Sequence, residues 1–338
     1  MNTNETLTPE RIMQFAWGYA PTLIIEAAVR NRVFDQLDPG PLSLPELVRQ
    51  TGASARGLTA ILNALVGLKL LVRVDERYEL TSESAAFLVS SRPDYRGLFF
   101  QHHTEQLLPQ WQHLAEVVRT GKPVARTNHE DDGAGHFAQF VESLFPVSFA
   151  AARALGEHLG IPKASAPVSV LDIGAGSGVW GIALAKQSPQ VVIRAVDWPR
   201  VLEVTKKVAT QHGVAERLTV VPGDFHETDF GHGHRVAVLG HILHSEGRDG
   251  CRRLLQKTLT ALAPGGTLAI QEFVPSDDRT GPPMALLFAV NMLVNTEAGD
   301  TYTFAEMSAW LREAGFTNPR RLEVPGPFPL VLADKPEA

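Results

Sequence analysis

From Arg11 to Leu37 apolar residues recur at helical spacing: Ile12, Phe15, Ala16 and Tyr19, then Leu23, Ala27 and Phe34. Recurrence every three to four residues predicts helix, and Pro21 predicts a break in it. In LSLPELVRQTG, Ser43 is placed to cap a helix, Pro45 suits its first turn and Gly52 ends it. Ser54 opens SARGLTAILNALVGLKLL, a further helix that turns Leu58, Ile61, Leu62 and Leu65 toward a core. VRVDERYELT reads as two short strands joined at Asp75-Glu76. Helix, short turn, helix and hairpin together predict a winged helix-turn-helix.

From about Tyr95 to Pro162 the pattern is helical and loop-rich. HFAQFVESLFPVSFAAARALGEHLG is one long amphipathic stretch, with a bend expected at Pro146 and an end at Gly160 and Pro162. After Ser165 the pattern changes. VSVLDIG, VVIRAVD, LTVVPGD, RVAVLG and TLAIQEF are apolar, strand-like runs separated by helical segments. That alternation predicts an α/β fold: a Rossmann-like, mostly parallel sheet with helices on both faces. RRLEVP and LVLADK, across a Pro-Gly-Pro turn, are expected to add an antiparallel hairpin at one edge. The expected organisation is a mainly helical winged-helix domain (1–100), a helical linker (101–164) and an α/β domain (165–338).

Composition narrows the function classes. The chain has 338 residues, 44% hydrophobic and 20% charged, and carries a formal net charge of -6. That balance is unlike the basic one of a nucleic-acid binder. A winged helix nevertheless raises a rival class, a ligand-sensing regulator that binds DNA. The second helix offers only Arg56 and Asn63 among apolar residues, with Lys69 at its end. The wing's Arg73 and Arg77 are interleaved with Asp75, Glu76 and Glu79. The apolar surface suits packing or dimerisation better, and no nucleic-acid partner is expected. Cys251 is the one cysteine, so no disulfide forms within the chain and a reducing, cytoplasmic setting is expected. MNTNETLTPE lacks the basic and apolar segments of a signal peptide. The most apolar early run, Ala20 to Val29, contains Pro21 and Glu26 and is too short to span a bilayer. No membrane partner is expected.

The sharpest chemical signal is VLDIGAGSG. A buried strand runs into Asp172, and Gly174, Gly176 and Gly178 precede a helix. Such glycines allow a tight turn and close backbone approach to a ligand at the carboxyl end of a strand. Dinucleotide sites space their glycines as G-x-G-x-x-G, which this is not. An acid inside the turn would repel a pyrophosphate and would suit an ammonium, such as that of S-adenosylmethionine. One strand later AVDWP places Asp197 about 20 residues on, as needed to accept from ribose hydroxyls, with Trp198 beside it. The next strand ends in PGDFHE. There Gly223 and Asp224 lie where an adenine amine would bond, and Phe225 can cover the ring. Each residue alone is more often structural. Three acids at the ends of consecutive strands point to one ligand.

Through the winged-helix module, VLDIGAGSG, AVDWP, PGDFHE, HILHS, ALAPGG and REAGF, the chain resembles the class I S-adenosylmethionine-dependent small-molecule O-methyltransferases, the group of caffeic-acid and hydroxyindole enzymes. The resemblance covers nearly the whole chain. It implies methyl transfer to a hydroxyl of a small, aromatic acceptor and a homodimer built through the winged-helix domains. It also implies a catalytic base at His244, in a pattern like I-L-H-D-W-x-D, oriented by Glu272 in AIQEF. Here Ser245 and Glu246 replace the Asp-Trp pair, Arg248 replaces the second Asp, and Gly240 stands where a Lys is frequent. A second family glutamate is missing, and AGDTYTFAEM offers Thr301 with Asp300 beside it. These departures keep carbon or nitrogen methylation, or a non-methylating relative, open as alternatives.

Other residues carry weaker signals. His241 lies one helical turn before His244 and could reach the same cleft, or be structural. His232 and His234 in FGHGH resemble a metal pair, but without a cysteine partner they are expected to be solvated, and no metal is expected. Phe137, Phe140, Leu144, Phe145 and Phe149 form a helical stripe, ordinarily core. In the resembling family this helix flanks the acceptor, which makes Leu144, Phe145 and Ser148 pocket candidates. Met284, Phe288 and Met292 are candidates for the same reason. Cys251 is expected to be buried and inert.

Overall fold

A computed structural model describes residues 7–337 of the chain, so part of MNTNETLTPE lies outside the described residues. The chain divides into two compact units, Met1–Pro109 and Gln110–Ala338. In the first, the helical run expected from Arg11 to Leu37 is three pieces: Glu10–Ala16, Ala20–Arg30 and Val33–Leu37. Pro21 does not break a helix. It sits in the first turn of the second piece, where a missing N–H costs nothing. One break falls before it, at Trp17–Tyr19. The other falls at Arg32, whose φ of 57° ends helical geometry.

The following elements form as their signals predict. Ser43 and Glu46 make a reciprocal capping box on Leu44–Thr51, and Gly52 closes that helix in the left-handed conformation. Ser54 accepts from the Gly57 N–H and starts Ala55–Gly67. Strands β1 (Leu42–Ser43), β2 (Leu71–Val74) and β3 (Arg77–Leu80) pair in the order β1-β3-β2, all antiparallel. The β2–β3 turn uses positive φ at both Asp75 and Glu76, the twist a two-residue hairpin needs. Leu58, Leu62 and Leu65 close a core with Phe34, Leu37, Leu47 and Tyr78, and Ile61 packs on its edge.

The second unit is built on a seven-stranded sheet in the order β6-β5-β4-β7-β8-β10-β9. Its strands are β4 (Val168–Ile173), β5 (Val191–Asp197), β6 (Leu218–Pro222), β7 (His234–Gly240), β8 (Leu262–Gln271), β9 (Thr317–Leu322) and β10 (Leu330–Asp334). Pairs among β4 to β8 are parallel, and β10 lies antiparallel between β8 and β9. The strands are apolar on both sides, as a sheet covered on both faces requires. Val170, Ile193, Val236 and Val238 enter one core, with residues of the helices Glu130–His158, Val179–Ala185 and Pro199–Gln211. Leu171, Ile173, Val196 and Leu239 enter the other, with the helices Arg248–Ala261 and Phe304–Ala314.

Two boundaries differ from expectation. β8 begins at Leu262, ahead of TLAIQEF, and Pro264-Gly265-Gly266 form an irregularity inside it, where the register to β7 shifts and Gly265 has φ 67°. The last hairpin begins at Thr317, ahead of RRLEVP. Among the described residues, no helix is long and apolar enough to cross a membrane.

Candidate active site

From β4 the chain first winds outward to β5 and β6, then returns to place β7 on the other side of β4. A crevice opens where an open sheet reverses in this way, at the carboxyl ends of the strands. The glycine turn follows β4 and His244 follows β7, so the two signals flank one crevice.

Gly174, Gly176 and Gly178 have φ of 62°, 56° and 75°, which an L side chain adopts only under strain. A Cβ on Gly174 would come within 2.3 Å of Ile242 Cδ1, and one on Gly178 within 2.8 Å of Thr205 Cγ2. The turn is therefore glycine for backbone and space alike. Its closure depends on acids. Asp197 Oδ2 accepts from the Gly176 N–H at 2.8 Å and Oδ1 from the Trp198 N–H at 2.7 Å. The Asp197 carbonyl accepts from the Gly223 N–H at 3.0 Å, linking β5 to the β6 loop. Burial pushes the Asp197 carboxyl up to about 6, against the two amide bonds.

Asp172 is buried, and Oδ2 accepts from the Gly181 N–H at 3.0 Å. Its other oxygen, Oδ1, is buried with no hydrogen-bond partner among the described residues. Burial pushes this carboxyl up to about 7, the Asp197 charge adds to the rise, and the Gly181 bond opposes it. A buried acid with an open acceptor costs free energy unless a donor or cation completes it. A bound S-adenosylmethionine carries such a cation, so the residues present fit it.

In the β6 loop Asp224 Oδ1 accepts from the His226 N–H at 2.7 Å, and Phe225 is half-buried. The ring of Trp198 is buried against Ala134, Val141 and Val201, and lies 6.0 Å from that of Phe137.

After β7 a short 3-10 turn, Leu243–Ser245, carries His244. His244 Nδ1 lies 2.8 Å from Glu272 Oε2, and its backbone N–H donates to Oε1 at 3.2 Å. Glu272 is buried at the end of β8. Burial pushes its carboxyl up, but the attraction of His244 and His241 and the bonds from His244 outweigh that and leave it below its ordinary value. The carboxylate favours the tautomer with the proton on Nδ1 and leaves Nε2 with its lone pair free. Around the imidazole, Phe288 meets it edge-on at 4.9 Å, Phe273 stacks on Phe288 at 3.7 Å, and Phe328 lies 4.3 Å from Phe273.

His241 adjoins this group, its ring 6.1 Å from His244. It has φ 61°, and burial pushes it down to about 4, so it stays neutral at ordinary pH. His241, His244 and Glu272 bring three potential ligand atoms within 4.8 Å of one another, the one such group among the described residues. The Glu272 carboxylate is already engaged by His244.

The remaining candidates scatter. Ser148 is buried and donates to Gln271 Oε1 at 2.8 Å, one residue before Glu272. Phe145 faces the core instead of the crevice, stacked on His212 at 4.5 Å and on Phe149. Leu144 is half-buried, Met292 is buried and Met284 is exposed. The Asp300 N–H donates to the His244 carbonyl at 3.0 Å, while its carboxylate faces Arg279. Thr301 is buried with its hydroxyl unpartnered among the described residues. Contrary to expectation, His234 is not solvated. Both ring nitrogens are satisfied, by Ser169 Oγ and the Phe230 carbonyl at 2.8 Å each. It begins β7, which buries it. Cys251 is buried as expected, and its thiol is pushed up by burial.

Phe273 and Phe328 escaped the sequence reading. Phe273 follows Glu272 directly, which is a usable signal. Phe328 comes from the hairpin loop, and only the fold brings it near. Gly240 gains a reason too: a Cβ there would lie 2.1 Å from Trp180 Nε1.

The chain is similar to known proteins over nearly its whole length. Residues 111–317 match the O-methyltransferase domain family and residues 13–90 the O-methyltransferase dimerisation domain. The chain is 32% identical over 323 residues to 3-hydroxy-5-methyl-1-naphthoate 3-O-methyltransferase of Streptomyces sahachiroi, covering 94% of this chain and 92% of that protein. A Nostoc punctiforme crystal structure, of a candidate O-methyltransferase, superposes with a TM-score of 0.90 at 31% identity, covering 98% of this chain and all of that one. PigF with bound SAH superposes with a TM-score of 0.82 at 25% identity, over 98% of this chain and 100% of that one.

Proposed function

Since the chain belongs to the family of S-adenosylmethionine-dependent O-methyltransferases, we propose that the hydroxyl it methylates is carried by a small aromatic molecule and loses its proton to His244. The observation that carries this reading is the buried Glu272–His244 pair, 2.8 Å apart, set within the rings of Phe273 and Phe288. The aromatic rings would stack on an aromatic acceptor. The naphthoate acceptor named for the Streptomyces relative is of that kind. Asp172, the glycine turn, Asp197, Trp198, Gly223, Asp224 and Phe225 would hold the cofactor, with Ser148, His241, Phe288 and Met292 nearer the acceptor.

When bound, the cofactor supplies a methyl group already activated on a sulfonium. The chain's own work is to align the acceptor and remove its proton. A phenol has a pKa of about 10 against about 6.5 for imidazole, so full proton transfer in advance would cost about 5 kcal/mol. Proton loss to His244 Nε2 therefore accompanies bond formation, as the oxygen acidifies. Glu272 holds the tautomer with Nε2 free and stabilises the imidazolium that forms. Phe273 and Phe288 keep water from the face of the base.

The test is His244→Ala beside Glu272→Gln, assayed with an aromatic hydroxy acid and its simple phenol analogues. A chelator in the buffer keeps adventitious metal off His241 and His244. His244→Ala should lose about 10²–10⁴ in turnover, with SAH affinity unchanged by calorimetry. Near-normal turnover at neutral pH would remove His244 as the base and leave positioning as the main source of rate.

The same reading extends to assembly: a homodimer through the first unit, with no nucleic-acid partner. The wing's basic residues are neutralised within the unit, Arg73 by Glu76 and Arg77 by Glu46 at 3.0 Å.

A further inference from the structure

His226 and Glu246 form a hydrogen-bonded pair, ionic when His226 is protonated, that the mechanism above does not use. His226 Nε2 lies 2.8 Å from Glu246 Oε2. The two residues belong to different loops. His226 follows Asp224 and Phe225 at the end of β6, and Glu246 follows the His244 turn at the end of β7.

Each partner is tied into its own loop. The His226 N–H donates to Asp224 Oδ1, and Lys257 Nζ donates to the Phe225 and His226 carbonyls at 2.8 Å each. The Glu246 side chain is buried, its N–H donates to the Leu243 carbonyl, and its own carbonyl accepts from the Tyr302 hydroxyl. Gly250 leaves room for the carboxylate, since a Cβ there would come within 2.9 Å of Glu246 Oε2. A buried carboxylate needs a charged partner to offset its desolvation. Here that partner comes from the neighbouring loop, so the pair fixes the distance between the two loops.

We propose that His226 and Glu246 are positioning residues that brace the Asp224–Phe225 segment against the His244 turn, so that cofactor affinity depends on His226 being protonated. This rests on the reading of Asp224 and Phe225 as part of the cofactor site. The charged groups acting on His226 are Glu246 and Asp224, which favour its protonated form, and Arg253, which opposes it; the Glu246 hydrogen bond is the largest influence, and the net effect raises its pKa. Lys257 acts on the carbonyls of this segment. As pH rises through the raised value, the pair loses its charge and the brace weakens to a neutral hydrogen bond.

Calorimetry with SAH between about pH 6 and pH 9 tests this, on the full-length protein and on His226→Gln, Glu246→Gln and Asp224→Ala. Other groups titrate in this range, including the amine of SAH, so the difference between wild type and His226→Gln is the readout. Near pH 6 the wild type should bind about tenfold tighter than His226→Gln, and the two curves should converge by about pH 9. Glu246→Gln should lie with His226→Gln. Thermal unfolding without ligand confirms that the variants are folded, and His226→Gln, changed at a partly exposed side chain, serves if Glu246→Gln does not fold. Parallel curves for folded wild type and His226→Gln would overturn the proposal. If Asp224→Ala then still weakens SAH binding, only the coupling fails. If Asp224→Ala binds SAH normally, the cofactor-site reading of this loop fails as well.

Discussion

Asp172 is a buried carboxyl in the crevice with one oxygen left without a partner among the described residues. Its carboxyl is pushed up to about 7 from 3.8, chiefly by burial. A raised acid binds its proton more tightly folded than unfolded. The stability it lends the ligand-free protein is thus full at low pH and falls as pH rises from about 4 to about 7. A cationic ligand reverses the preference, because it favours the carboxylate. Two slopes of opposite sign are therefore expected: thermal stability of the free protein falls with pH in this window, while SAH affinity rises. Asp172→Asn should flatten both, read by pH-dependent unfolding and calorimetry. If the SAH slope survives in that variant, Asp172 does not meet the ligand's charge. This role was half legible in the sequence. An acid before a glycine turn is visible in VLDIGAGSG, but the open oxygen follows only from how the strand end is buried.

The fit of β7 against the helix Val179–Ala185 is an element-scale matter. Trp180 is buried, and its indole takes the space above Gly240. Gly240→Ala should cost about 1–3 kcal/mol through overpacking of β7. In a Trp180→Phe background the smaller ring should relieve part of that cost, giving a coupling energy of about 0.5–3 kcal/mol in a double-mutant cycle by chemical denaturation. Strict additivity would show that the indole is not what excludes a Cβ. Element types were the most legible feature of this chain. Caps at Ser43 and Ser54 and apolar runs at β4, β5 and β7 carry their own local physics. The fragments of the first helical run were not legible, because Arg32 enters the left-handed conformation without a glycine to announce it.

At the scale of the whole molecule, the first unit leaves Ile12 73%, Phe15 72% and Trp17 67% exposed. Monomeric proteins rarely expose apolar residues so close together, and such patches mark interfaces. The match of residues 13–90 to a dimerisation domain places these side chains in or beside it. Light scattering should give a dimer mass for the wild type at micromolar concentration. Phe15→Glu, combined with Trp17→Glu, should shift the equilibrium toward monomer by burying unpaired charge. A double variant that stays dimeric would place the interface elsewhere.

By itself the sequence determined the α/β sheet, the winged helix, the glycine turn and the ordered acids at successive strand ends. Each is written in contiguous residues, where periodicity, capping and turn chemistry act over a few positions. Strand register put Glu272 beside His244, 28 residues apart, and loop packing joined His226 to Glu246. The hairpin brought Phe328 to Phe273, while Phe145 turned away to stack on His212. Those outcomes belonged to the tertiary structure, because a side chain's neighbours across the chain depend on which strands pair and which face each helix buries.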